Sequence, residues 1–195
     1  FDGENHPFRV KRTGVTGNKP DMKAIKTIIV RKKPGTARQA LVQAGPYVFQ
    51  AALGRGGISS QKREGDGCTP RARMALLHGF FRADKRTFPV TSLPMQHIDA
   101  RMLWCDEPSH ACYNRLVRTE LSASHERMLR KDALYDICLV MDWNISSRTR
   151  KRGSAIFFHL ARPGYLPTEG CVAISRKDMM RLVRFVKKGT IVRVM

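Results

Sequence analysis

Every continuous apolar run in this chain is strand-sized. The longest, "KTIIV", "PYVFQAAL" and "ICLVM", stop at a charged residue or a glycine, far short of the roughly 18 to 20 residues that a helical membrane span requires. At 195 residues and 42% hydrophobic composition the chain can nevertheless bury a proper core. A single domain built mainly of short strands, with no membrane span, is therefore the expectation.

The strands can be placed from local patterning. "KTIIVRKK", "ARQALVQA" and "YVFQAAL" alternate or are β-branched and are separated by "PGT" and "GP", the spacing of a meander. "RMALLHGFF", "ICLVM", "SAIFFH", "CVAIS" and "TIVRVM" read as further strands, whereas "YNRLV" and "SASHERMLRKDALYD" predict short helical turns. One helix is clearer. Ser175 with Asp178 forms a capping-box-like start, Met179, Leu182, Val183 and Val186 share one face opposite Lys177, Arg181, Arg184 and Lys188, and Gly189 ends it. Residues 1–22, polar and broken by Gly14, Gly17 and Pro20, read as an arm preceding a domain over 23–195. The opening "FDGENHPFRV" has no charged head followed by an apolar stretch, so a signal peptide is expected to be absent or already removed. The glycine-rich "GRGGISSQKREGDGCTP" lacks the Gly-Lys-Ser/Thr of a P-loop, and Ser59 stands where a dinucleotide fingerprint needs glycine; it reads as a surface loop.

The formal charge is +20, from 36 Lys and Arg against 16 Asp and Glu, with the excess concentrated towards both ends. Such a field attracts polyanions. Aromatic interleaving, recognition helices and zinc-finger spacing are all missing, so nucleic acid is not the expected partner, and an anionic envelope polymer fits the charge equally well. Part of the basic excess, including the stripe on the last helix, is an ordinary solvated face.

Cysteines at 68, 105, 112, 138 and 171 make an odd number with no C-x-x-C pair. Within "WCDEPSHACY", Cys105 and Cys112 can close a disulfide, or join His110 in a metal site for which the sequence offers no fourth ligand; the expectation is no bound metal and no cofactor. Cys138, inside "ICLVM", reads as a small buried hydrophobe.

The remaining cysteine lies in "HLARPGYLPTEGCVAIS". His159 closes one apolar run and Cys171 opens the next, which sets both at a sheet rim where side chains from a rigid scaffold can converge. Gly170 permits a sharp turn and close approach of a carbonyl to the Gly170 and Cys171 amides, an oxyanion arrangement. An adjacent imidazole and a basic field, with Arg162 contributing, favour a thiolate. A buried inert cysteine beside a strand-capping histidine explains the same residues without chemistry.

This segment resembles the active-site segment of the L,D-transpeptidase catalytic domain, whose pattern is a histidine, a loop, then Ser/Thr-His-Gly-Cys. His159 matches the base, Thr168 the Ser/Thr, Gly170 the glycine and Cys171 the nucleophile. Glu169 stands where the pattern has its second histidine, the loop is shorter than in the common type, and Ala173 replaces a residue that is often polar. "LGRGGI", "KREGDGCTP", "WCDEP", "YNRLV", "HERM", "DALYD" and "GSAIFFH" extend the resemblance, in order, from about Ile25 to the C-terminus, and look like a proteobacterial subgroup with a Thr-Glu-Gly-Cys segment.

The resemblance implies a mainly β (α+β), sandwich-like single domain with one C-terminal amphipathic helix and short additional helices. It implies that Cys171 attacks the stem-peptide carbonyl of a peptidoglycan tetrapeptide, with His159 as base, to give a thioester. A stem side-chain amine or an envelope-protein lysine then resolves that thioester, in the periplasm or cell envelope. Carbapenems would acylate such a cysteine. Glu169, Thr168, Arg162, Trp104, Tyr113 and Asn114 are the expected substrate-binding residues. Resolution by water, giving a carboxypeptidase or amidase, and a non-catalytic basic module that grips wall or nucleic acid are the alternatives.

Overall fold

The computed structural model describes residues 24–85 and 90–195; the expected arm over 1–22 lies outside the described residues. The predicted meander is present as β1 (Thr27–Lys32), β2 (Gln39–Ala44) and β3 (Tyr47–Ala52), paired antiparallel with Val30 opposite Val42 and Val42 opposite Phe49. Ile28, Val30, Ala40, Val42 and Ala44 all point inward, as the two-residue period of a half-buried strand requires. Within the glycine-rich loop, β4 (Ile58–Ser59) and β5 (Thr69–Pro70) form a short parallel pair. The loop folds tightly on itself, since a Cβ on Gly54 would lie 2.2 Å from the Gly67 carbonyl oxygen.

The rest of the main sheet comprises β6 (Arg73–Phe81), β7 (Met95–His97), β11 (Ile137–Met141), β12 (Phe157–Leu160), β13 (Val172–Ile174) and β14 (Ile191–Val194). β14 runs parallel to β1 and antiparallel to the first half of β6. The second half of that edge takes β7, while the opposite edge of β6 pairs with β11. The order β11-β12-β13-β3-β2-β1-β14-β6 therefore returns to β11. This corrects the sandwich-like expectation to a closed barrel. The long β6 reaches neighbours on both edges, so the sheet has no gap at which to split into two layers.

A small antiparallel sheet, β10-β8-β9, packs on the outside: β8 (Leu103–Cys105), β9 (Arg115–Val117) and β10 (His125–Arg127). β9 and β10 occupy the stretches expected as helical turns, "YNRLV" and "SASHERMLRKDALYD". Their three-residue pairings, Trp104 with Leu116 and with Glu126, are long-range, so tertiary pairing overrides local propensity. A single short 3₁₀ turn, Pro163–Tyr165, represents the additional helices among the described residues. The C-terminal helix α1 spans Arg176–Leu182, shorter than its apolar pattern predicts. Its cap is the predicted one, with the Asp178 amide donating to Ser175 Oγ at 3.1 Å. Met179, Leu182, Val183 and Val186 are all buried in the barrel core.

Two cores result. The barrel interior holds Phe158, Leu160, Val172 and Ile174 together with Leu139 and Met141. An outer core, under the small sheet, holds Phe157, Cys171, Cys138 and Val140 with Trp104 and Tyr135. Fully burying each large apolar side chain contributes about 1.5–3 kcal/mol, so both layers are needed to hold β11 and β12, which are buried on both faces.

Candidate active site

β12 and β13 lie side by side and parallel, with His159 opposite Ala173. Parallel neighbours require a crossover, and here "ARPGYLPTEG" supplies it. Because side chains alternate, Phe158 and Val172 turn into the barrel while Phe157, His159, Cys171 and Ala173 turn outward. His159, Cys171 and Ala173 line one cavity of about 350 Å³, roofed by Leu166, Pro167 and Thr168 of the crossover. The structure thus brings the predicted histidine and cysteine to one space.

His159 is 4% exposed. Its Nδ1 lies 2.8 Å from the Leu160 carbonyl oxygen, which can only accept, so Nδ1 carries the proton and Nε2 keeps its lone pair. Burial pushes the imidazole down to about 4, with Arg130 and Arg162 adding to the shift. The ring meets Tyr135 edge-on at 5.3 Å, and burial holds the Tyr135 hydroxyl well above its usual range.

Cys171 is 7% exposed. Its Sγ accepts from the Phe157 amide at 3.3 Å and donates to the Ala155 carbonyl at 3.2 Å. Burial pushes the thiol up to about 12 despite the amide contact. The thiolate expected from the basic surroundings is therefore corrected: desolvation outweighs the field, and the resting pair is neutral thiol with neutral imidazole.

The turn before Cys171 is held from several sides. Thr168 Oγ1 donates to the Cys171 carbonyl at 2.7 Å and accepts from the Gly170 amide at 3.2 Å. Backbone bonds join Thr168 to Leu53 and Arg55. Gly170 has φ +137°, and a Cβ there would meet the Cys68 carbonyl oxygen at 2.8 Å, so glycine is required on both counts. Glu169 is exposed and pairs with Arg55, Oε2 to Nε, at 2.7 Å. Arg162 lines the cavity with its guanidinium 4.0 Å from Asp132.

Trp104, Tyr113 and Asn114 are not among the residues lining this cavity; each is at most 3% exposed. They pack beside it. Asn114 Oδ1 accepts from Trp104 Nε1 at 3.0 Å and from the Ala155 amide at 3.1 Å. Ala155, at φ +52°, is the residue whose carbonyl receives the Cys171 thiol. The Tyr113 hydroxyl donates to Glu64, which also accepts from Ser154 at 2.9 Å.

Other cavity residues carry no sequence signal of a role. Glu126, on β10, is held above its usual range by burial, opposed by Arg130 at 3.3 Å and by the Tyr135 hydroxyl at 3.2 Å. Arg130 also grips Asp132 bidentately at 2.8 and 2.6 Å. The Lys62 ammonium is held by Asp66 at 2.5 Å. "HERM", "DALYD" and "KREGDG" were visible as landmarks, but only long-range packing brings them to the cavity.

A thiol and an imidazole whose Nδ1 alone is engaged among the described residues, facing one cavity, are the equipment of a cysteine-dependent enzyme. The sequence profile of YkuD, the L,D-transpeptidase catalytic domain, matches residues 26–194, and the chain belongs to that family. Neither the curated proteins nor the solved structures gave a significant match.

Proposed function

We propose that the protein is an L,D-transpeptidase of the cell envelope, of the subgroup whose active-site segment reads Thr-Glu-Gly-Cys. Cys171 attacks the carbonyl of the third residue of a peptidoglycan tetrapeptide stem as His159 Nε2 takes the thiol proton. The C–N bond to the terminal D-alanine breaks, and the imidazolium returns that proton to the departing amine. The thioester then reacts with a side-chain amine of a second stem, or a lysine of an envelope protein, and the thiol is restored. The observation that carries this reading is that adjacent parallel strands direct His159 and Cys171 into one cavity, with the imidazole's Nδ1–H fixed by Leu160.

Because both partners rest neutral, proton transfer accompanies attack instead of preceding it. The Cys171 amide is the oxyanion donor, with the Gly170 amide joining it as the bond to Thr168 loosens. Arg162 and Arg130 meet stem carboxylates, and Glu169 with Arg55 steadies the crossover rim. Trp104, Tyr113 and Asn114 act by holding Ala155 and Glu64 in place.

Purified muropeptides distinguish the outcomes. Cross-linked dimers by mass spectrometry are expected; shortened monomers alone would replace transfer by hydrolysis. A carbapenem is expected to leave a covalent adduct on Cys171. No adduct on reduced, folded protein, combined with salt-sensitive polyanion binding, would favour a non-catalytic binding module.

A further inference from the structure

On the far side of the small sheet lies a second group of reactive side chains that the mechanism does not use. The loop 106–114 joins β8 to β9 and brings His110 and Cys112 back over Cys105. The Cys105 thiol, the Cys112 thiol and an imidazole nitrogen of His110 all lie within 4.8 Å of one another. His110 Nδ1 is 2.8 Å from Cys112 Sγ and 3.2 Å from the Cys112 amide.

We propose that Cys105, His110 and Cys112 bind a soft tetrahedral divalent cation of the zinc type, with a fourth position open to water. Two thiolates and an imidazole are the donor set such an ion selects. Zinc bonds of about 2.3 Å to sulfur and about 2.0 Å to nitrogen put two sulfurs and a nitrogen roughly 3.5–3.8 Å apart, inside the 4.8 Å that bounds the three donor atoms here. Binding displaces the two thiol protons to solvent, and the ion's two charges are balanced by the two thiolates.

The loop is already shaped for this. Asn114 donates to the Cys105 carbonyl at 2.8 Å, Arg115 to that of Cys112 and Tyr113 to that of His110, both at 3.1 Å. Ser109 Oγ bonds Glu107 at 2.8 Å. Cys105 is buried, Cys112 half-buried and His110 exposed, which gives the ion an entry path. A disulfide between the two cysteines would leave the imidazole without a part, and the third donor is what favours the metal.

The ion would also act at a distance. Cys105 lies between Trp104, which holds Asn114, and Asp106, which lines the cavity. Ligation therefore pins the hairpin that covers the outer face of β12.

The test is titration of the reduced full chain with Zn2+, and with Co2+ to read thiolate-to-metal charge-transfer absorption. One ion per chain, proton release on binding and a raised melting temperature are expected. Cys112→Ser and His110→Ala, both outside the buried core, should each weaken binding at least about 10-fold, while Cys171→Ala binds as wild type does. No uptake by the reduced protein overturns the proposal, as does undiminished uptake by Cys112→Ser. A protein isolated with a Cys105–Cys112 disulfide that takes up no metal after reduction overturns it in favour of the disulfide. Because none of these readouts uses muropeptide turnover, failure here leaves the proposed transpeptidase activity untouched.

Discussion

His110 and Cys112 touch directly on an exposed hairpin loop, whereas His159 and Cys171 are buried and hydrogen-bond to backbone groups, Leu160 and Ala155. The touching pair lies outside the cavity. The separated pair shares a space large enough for a substrate carbonyl, with Nε2 unengaged by the contact that fixes Nδ1. On the proposed mechanism, the difference teaches that thiol–imidazole contact does not by itself define a nucleophile. What matters is a common cavity, a set tautomer and a substrate that completes the alignment.

The largest way to break this contrast is to remove one thiol at a time. Cys171→Ala should lower muropeptide turnover by at least about 1,000-fold and abolish the carbapenem adduct; Cys112→Ser should still form the adduct. The reverse pattern, read by intact-protein mass, would move the chemistry to the hairpin. Next comes Trp104→Ala, which removes an edge-on contact with Phe157 and a bond to Asn114. Denaturant unfolding should show a loss of about 3–5 kcal/mol, and a change in KM at unaltered stability would instead make Trp104 a groove residue. Gly170→Ala should cost about 1–3 kcal/mol from its positive φ alone, with the clash against Cys68 adding to this; a melting temperature equal to wild type would sink the account of that turn.

Smaller effects test the neutral resting state. His159 has an ordinary value of 6.5 that burial lowers to about 4, so the unfolded chain binds a proton first, and stability should fall as pH drops from 6.5 towards 4. For Cys171 the shift from 9.0 to about 12 runs the other way: the unfolded chain loses its proton first, and stability should fall as pH rises from 9.0 towards 12. Thermal melts should show a shallower alkaline decline in Cys171→Ala. Smallest of all, Glu169→Gln breaks an exposed pair with Arg55 and should leave the melting temperature unchanged. A modest rise in KM with kcat retained would fit its place on the rim.

Sequence made some of this legible and hid the rest for physical reasons. β6 and β11 coincide with "RMALLHGFF" and "ICLVM", because apolar runs bounded by polar residues are local signals. The Ser175 cap and the buried side of α1 were equally local. Barrel closure was not, since it depends on β14 pairing with β1 and on β6 reaching β11, partners far apart in the chain. β9 and β10 read as helical turns in the sequence because strands of three residues carry too little period to distinguish. His159 and Cys171 stand out as the end of one apolar run and the start of the next, although His159 lies inside β12, one residue before its end. Tyr135, Glu126, Arg130 and Ala155 carried no such mark, and neither did the carbonyl of Leu160 that sets the tautomer.

The burial of the Cys171 thiol has a further consequence for the lifetime of the enzyme. Burial holds this thiol well above its ordinary value, so at pH 7 it rests protonated. Oxidants and stray electrophiles react with thiolates, so a cysteine kept in this form is a poor target for peroxide, disulfide exchange or alkylation while it waits. On the proposed mechanism, selectivity lies in timing: the sulfur becomes a nucleophile only when a bound carbonyl and Nε2 of His159 meet it together, which spares it in surroundings where an exposed thiolate would be consumed.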